Sequence, residues 1–430
     1  MATAQANTPP VQPPATCLSA NAPTGTVSAT VDCCPLVATF GNPGPMGPPI
    51  YGFDALSNRP FDPHERLAAL NAGKPDPAAK GAANYWDEPT AAKTLPADRE
   101  TLDGAVWVSV PLNGETAVMI ELVGCSSTAN CSYEIVPSTV AAIVDPKPVG
   151  EGSMLKIRGL AEGEASLKMM CRGKLVGYFH IWCRKMATIK VGLGGISVRS
   201  AKYRNPNDGT RLHVRQVPGL SEYAATLKEH LDKVYRQALI SFDVRYLGDF
   251  DADAEPPAIR AAAQGLVFDG PDAIFGADGD INDRLRRVLF DNEDLPEWWL
   301  KSLRQVGDLA RASLGSHGAK SIWVMPQPNK GAAVMGGFAA GLGSDHVFIN
   351  KIDERAAHIA AHELGHALGL AHPIAALQYN EEQYPERLRA EVAFKNHGAY
   401  HPSDPENLMG NRMPDNENLL YRQWKALPRS

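Results

Sequence analysis

The chain has no cysteine after Cys183. All seven cysteines (17, 33, 34, 125, 131, 171 and 183) lie in the N-terminal part of the 430 residues. No two are spaced as C-x-x-C, which excludes the usual cysteine-rich structural zinc site. A basic excess is also missing: 42 Lys and Arg stand against 48 Asp and Glu, a formal net charge of −6. Nothing is left over to neutralise a phosphate backbone, so a general nucleic-acid binder is excluded. No apolar run approaches the roughly 20 residues of a membrane-spanning helix. The first residues, MATAQANTPPVQPPATC, lack both a basic n-region and an apolar h-region, so they do not form a Sec-type signal peptide. The expectation is a protein acting outside the cytosol, reached by another route. Cysteine usage points the same way. Cys125 and Cys131 bracket a short polar loop suited to a small disulfide, and Cys171 and Cys183 flank a hairpin. An odd number leaves at least one thiol unpaired within a monomer.

Proline divides the chain. Residues 1–50 hold ten of the 34 prolines, which blocks helix and resists central strand pairing. Residues 1–100 therefore read as a Pro-rich arm, partly irregular, with one short helix expected at 63–72. From 101 to 193 the texture changes to short β-branched and aromatic runs, at 105–112, 116–123, 132–137, 153–157, 165–171, 175–182 and 187–193. Turn signals such as Asn113-Gly114 separate them. Seven strands at this spacing predict an all-β sandwich. Residues 194–430 read as a mixed α/β (α+β) unit. Helices are expected at 221–239 (with Ser221 as N-cap), 281–290, 296–314 and 418–427, and strands at 240–247, 321–325, 334–340 and 346–349.

The chemistry concentrates in His362-Glu363-Leu364-Gly365-His366-Ala367-Leu368-Gly369-Leu370-Ala371-His372. Two histidines four apart lie on one face of a helix and can share a metal ion. Glu363 is placed to take a proton from a metal-activated water. Gly369 comes where the helix must stop and the chain swing back, which glycine does cheaply at positive φ. The swing brings His372 round as a third ligand, and three protein nitrogens leave an open fourth position, as in catalytic zinc sites. HExxH alone arises by chance in roughly one or two chains in a hundred of this composition; the added glycine and third histidine make chance far rarer.

This stretch resembles the extended zinc motif of the metzincin metallopeptidases, and Asn407-Leu408-Met409-Gly410 is similar to the methionine turn of that family. The resemblance implies a zincin fold over 194–430, Zn2+ as cofactor and hydrolysis of peptide bonds in protein or peptide substrates. It makes His362, His366 and His372 the metal ligands, Glu363 the general base and Met409 the apolar floor of the site. It also implies an edge strand that pairs with substrate backbone, for which Gly336, Gly337 and Phe338 are the candidates. Pro373 is like the serralysin branch, but Asn411 stands where that branch has a tyrosine, so the branch stays open. Residues 155–182, with Gly163-x-Ala165-x-Leu167 and the Gly173-Lys174 turn, look like bacterial immunoglobulin-like modules.

Acidic stretches at 249–255 and 276–283 have the oxygen-rich composition of a loose Ca2+ site. Two other readings compete with a secreted peptidase. One is a binding or adhesion protein working through the β-module over an inert zincin scaffold. The other is a toxin protease delivered by a secretion machine and matched by an inhibitor protein.

Overall fold

The computed structural model describes residues 35, 37–41, 51–54, 72, 106–124, 129–144, 152–204, 209–214, 217–269, 297–325, 336–350, 352–353, 355–370, 408–409, 419 and 421–429. The helices expected at 63–72 and 281–290, and the acidic loop at 276–283, lie outside them apart from Ala72 itself.

Among the described residues, nine strands form two sheets around one core. The first sheet has the order β1 (Val37–Gly41), β4 (Glu115–Val123), β7 (Met154–Gly159), β6 (Ala141–Ile143). The second runs β2 (Gly52–Asp54), β3 (Trp107–Pro111), β9 (Lys174–Arg184), β8 (Gly163–Cys171), β5 (Cys131–Val136). Period-two alternation decides the facing. Ala165, Leu167, Met169 and Cys171 of β8 point inward, while Ser166 and Lys168 point outward. Val118, Ile120, Leu155 and Ile157 from one sheet meet Val108, Val110, Phe179 and Ile181 from the other. Phe40 closes on Phe179 edge to face, with ring centroids 4.6 Å apart. Two of these strands, β1 and β2, come from the proline-rich arm, where sequence offered no strand. The arm is thus partly built into the sandwich.

The strand expected at 187–193 forms, but it does not join this sandwich. It opens β10 (Ala187–Arg204), the central strand of a third sheet. That sheet has the order β11 (Arg211–Val214), β10, β13 (Lys320–Val324), β15 (His346–Ile349), β14 (Gly337–Ala339), and β12 (Ile240–Asp251) also pairs with β10. Strands β12, β10, β13 and β15 are parallel; β14 runs antiparallel beside β15. Parallel strands need coverage on both faces, and helices supply it. Helix α1 (Leu220–Tyr235) packs on one face with the later helix α4 (Ala356–Ala367). Helices α2 (Pro257–Gln264) and α3 (Glu297–Leu314) pack on the other. Helix α1 buries Leu220, Tyr223, Ala224, Leu227, Leu231, Val234 and Tyr235, one stripe at helical spacing. Its N-cap is Gly219 at φ +81°, not Ser221, whose hydroxyl donates to Glu222 instead. No helix among the described residues is long and apolar enough to cross a membrane.

The two bodies share a core. Trp107 and Trp182, on the outer face of the sandwich, belong to the same buried cluster as α1 and α4. Helix α5 (Tyr421–Ala426) closes the seam. Trp424 lies against Trp182 with ring centroids 6.0 Å apart, and Lys425 pairs with Glu164 at 3.2 Å. Arg429 stacks 4.2 Å over the Trp182 ring and donates to the Ala238 carbonyl at 2.5 Å.

The expected disulfide between Cys125 and Cys131 does not form, because Cys131 is a free, buried thiol, as is Cys183. Cys171 is the disulfide-bonded one; its partner lies outside the described residues. Burial pushes the Cys183 thiol up to about 11, so it is inert at neutral pH.

His346 locks α3 to the sheet. The Trp323 indole N–H donates to its Nδ1 at 3.1 Å, so the ring proton sits on Nε2, which meets Asp308 Oδ1 at 3.0 Å. Protonating Nδ1 would set N–H against N–H. Burial lowers the histidine's pKa; Arg311 lowers it further, and Asp308 and Asp345 oppose. A depressed histidine pKa means that the unfolded chain takes up the proton first, so this stability is present above about pH 6.5 and lost as pH falls. We expect the urea midpoint to drop between pH 7.5 and pH 5, and His346→Gln to flatten that drop. An unchanged pH profile in the variant would contradict the assignment.

Candidate metal centre

Helix α4 is buried on nearly all sides, and small residues make this possible. Ala356, Ala357, Ala360, Ala361, Gly365 and Ala367 let neighbouring backbones come close. Asp353 ends the preceding loop, its side chain accepting from the Arg355 N–H at 3.0 Å. The helix ends as its sequence dictates. Gly369 takes φ +99°, and Leu370 N–H returns to the Gly365 carbonyl at 2.9 Å.

The two histidines of the helix sit side by side, with ring centroids 4.9 Å apart and planes at 87°. Each is oriented by a backbone carbonyl. His362 Nδ1 donates to Leu408 O at 2.7 Å, and His366 Nδ1 donates to Leu370 O at 2.7 Å. A carbonyl only accepts, so the proton is on Nδ1 in both rings and Nε2 carries the lone pair. This is the tautomer a metal ligand needs, fixed by the kind of outer hydrogen bond that metal-binding histidines use. Burial lowers His362 to about 3, helped by His366 and His358 and opposed by the Leu408 carbonyl. Burial lowers His366 to about 4, opposed by the Leu370 carbonyl. Both rings are neutral at physiological pH.

Glu363 lies between the helix and the edge strand. Burial raises its carboxyl to about 8, and the Ala339 backbone N–H, which hydrogen-bonds it, pulls the other way. The strand register explains this contact. Asn350 N–H donates to Gly336 O and Ala340 N–H to His346 O, so these two residues turn their backbone groups towards β15. The intervening Gly337 and Ala339 turn theirs to the outer edge, where Ala339 meets Glu363. A side chain at Gly337 would collide with Ile359 and the Phe348 carbonyl at 2.8 Å, and one at Gly336 would strike Ile359. Both glycines therefore let β14 lie directly on α4. The Phe338 side chain points away from the helix, stacked on Phe348 at 5.6 Å within the opposite core. Of Gly336, Gly337 and Phe338, only Gly337 turns its backbone groups to the outer edge; Gly336 faces β15, and the Phe338 side chain lies in the opposite core.

Met409 is fully buried beneath the helix. A Cβ on Gly365 would lie 2.5 Å from Met409 Sδ and 3.1 Å from the Tyr235 hydroxyl, and that hydroxyl donates to Ala361 O at 2.7 Å. Residues 408 and 409 thus hold the site from below in two ways, through a carbonyl on His362 and a thioether under Gly365. Neither Tyr235 nor the carbonyl of Leu408 was singled out from sequence. A buried tyrosine 126 positions from its acceptor leaves no local signal.

His372 lies outside the described residues, and among those described no three His, Cys, Asp or Glu side chains cluster as a metal-holding group. The donors that are described fit a zinc ion: two neutral imidazoles in the required tautomer beside a carboxylate. In the acidic stretch at 249–255, several carboxylates accept from protein donors. Asp249 accepts from Tyr246, Asp251 from the Asp253 N–H, and Asp253 from the Arg199 N–H. His358 is buried on α4, with its ring 5.9 Å from that of His230.

No family model matches the chain, and no curated protein matches it. Among solved structures, similarity is found to domains 1–6 of the surface-layer protein SbsC. That match has 13% identity and a TM-score of 0.17, covering 24% of this chain and 15% of that one. Domains 4 and 5 of the same protein match at 18% identity and a TM-score of 0.16, covering 18% and 46%. A chain from a chaperone–substrate complex matches at 13% identity and a TM-score of 0.22, covering 52% and 32%. The chain spans less than half of each of these, and such scores carry no argument about fold or activity.

Gly365→Ala tests the floor of the site. Helix propensity favours alanine by about 1 kcal/mol, but overpacking against Met409 and Tyr235 costs about 1–3 kcal/mol. We expect a net loss in chemical denaturation, partly restored in Gly365→Ala/Met409→Ala. Strict additivity of the two changes would contradict the contact.

Proposed function

We propose that the chain is a zinc-dependent endopeptidase of metzincin type, its catalytic body preceded by an immunoglobulin-like sandwich, acting on protein substrates outside the cytosol. The observation that carries this reading is the pair of neutral imidazoles, His362 buried and His366 half-buried, each held by a carbonyl at 2.7 Å, beside a half-buried glutamate at a sheet edge. Binding alone gives no reason to hold a carboxylate there against its desolvation; proton transfer does.

His362, His366 and, by its spacing, His372 would hold a zinc ion, which would supply Lewis acidity to water and to the scissile carbonyl and a positive charge that favours the ionised form of Glu363. The protein does the rest. Glu363 takes a proton from the attacking water and passes it to the leaving amine. The outward backbone groups of Gly337 and the outward carbonyl of Ala339 accept an extended peptide as an added strand. That mode reads main chain first, which suits cleavage within varied sequences. Met409 and Leu408 keep the helix and its first histidine in place while substrate binds. Calcium at 276–283 is retained as an accessory expectation.

The test is cleavage of a mixed peptide library with zinc content measured in parallel. Wild type is expected to hold one zinc and to cut. Glu363→Ala is expected to hold zinc and lose cleavage by at least about a hundredfold, the usual scale of general-base catalysis. His366→Ala is expected to lose both. Full cleavage by Glu363→Ala would overturn the proposed role. Zinc retention with no cleavage by wild type would shift the reading to a binding protein built on the same scaffold.

A further inference from the structure

The loop from residue 340 to 345, between β14 and β15, is held far more firmly than an exposed turn needs. Arg304 of α3 donates from Nε to Ala340 O at 3.2 Å. Lys320 donates to the carbonyls of Gly343 and Ser344 at 3.1 and 2.9 Å, and reaches the Asp345 carboxylate at 3.3 Å. Arg311 meets the same carboxylate at 3.4 Å. Gly341 and Gly343, at φ +115° and +73°, make the tight path possible. The Gly343 N–H then donates to the backbone carbonyl of His366 at 2.9 Å, fastening the loop to the end of the proposed zinc helix.

At the centre of this loop stands Leu342, 60% exposed, the most exposed large apolar side chain among the described residues. The next three, Leu160, Val136 and Val123, all lie on the sandwich, away from the site. A single exposed leucine is ordinary on a free surface. One held rigid beside a reaction centre has a reason to be there, since a pre-ordered contact loses little entropy when it meets a ligand. The spacing defines its reach. Gly343, the next residue, meets the His366 carbonyl, and Ala339, whose N–H meets Glu363, lies three residues earlier, so along this turning chain the leucine is at most about 10 Å from it.

We infer that Leu342 is a specificity-determining contact, receiving a large apolar side chain of the substrate two or three residues from the bond that is cut. This rests on the peptidase reading and narrows it. The substrate class becomes polypeptides with Leu, Ile, Met or Phe at that offset, bound along the outer edge of β14.

The experiment compares cut-site profiles of full-length wild type, Leu342→Ala and Leu342→Glu on one peptide library, with zinc content and thermal midpoint recorded for each. Because the side chain is exposed, both variants are expected to keep the zinc and the midpoint of wild type. Wild type is expected to enrich large apolar residues at one position two or three from the cut. Leu342→Ala is expected to lose roughly tenfold or more in kcat/KM on those peptides, with little change on peptides bearing a small residue there. Leu342→Glu is expected to move the preference towards Lys and Arg. Identical profiles in all three proteins would overturn the inference while leaving the peptidase intact. Failure of wild type to cut any peptide would overturn the peptidase reading, and this inference with it.

Discussion

Setting two imidazoles and a carboxylate side by side with little access to water is unfavourable unless each polar atom has a defined use. In this protein the ring N–H groups of His362 and His366 are satisfied by the carbonyls of Leu408 and Leu370, and the carboxylate of Glu363 by the N–H of Ala339. All three partners are backbone. Two separate stretches and the helix's own terminal turn must therefore converge to within hydrogen-bonding tolerance. Much of the surrounding architecture can be understood as meeting that requirement. Gly336 and Gly337 let the edge strand approach, Gly365 makes room for Met409, and Gly369 turns the chain so that Leu370 reaches back. Replacing any of these glycines by a larger residue moves a backbone group that a functional side chain depends on.

The sandwich is part of this arrangement rather than a bead on a string. Trp107 and Trp182 project from its outer face into the core that also holds α1 and α4, and α5 returns from the far end of the chain to cover the seam. A spacer module would present a polar face at such a junction. Here the apolar surface of one body completes the other, and Arg429 fixes the join through the Trp182 ring and the Ala238 carbonyl. Helix α4 thus packs with α1 in a core that the sandwich completes, so the β-module helps hold the two histidines in place.

How much of this was legible in the sequence depends on the range of the interaction involved. The strand at 240, the helix ending near 314, the strands at 320 and 346, and the stop at Gly369 follow from local periodicity and from the conformational freedom of glycine. They were readable because the physics acts over a few residues. The pairing of His362 and His366 was readable for the same reason, since one helical turn sets it. Ser221 misled because hydroxyl chemistry at a helix start is a tendency, and Gly219 at positive φ already turned the chain there. The strands at 37–41 and 52–54 were hidden because proline-rich surroundings argue against strands, and only a partner sheet could stabilise them. The segment from 187 looked like a seventh sandwich strand because alternation specifies a strand but not its neighbour; parallel pairing with β12 and β13 places it in the other sheet.

The sequence by itself determined the chemistry on offer: two histidines, a glutamate and a turn, all within one short stretch. The tertiary structure alone decided the protonation state and aim of those groups. Tautomer, burial and approach depend on carbonyls and amides contributed from residues 339, 370 and 408, and on packing by Tyr235 and Met409. Contacts of that kind leave no periodic trace in a chain, because they join backbone atoms that every residue possesses.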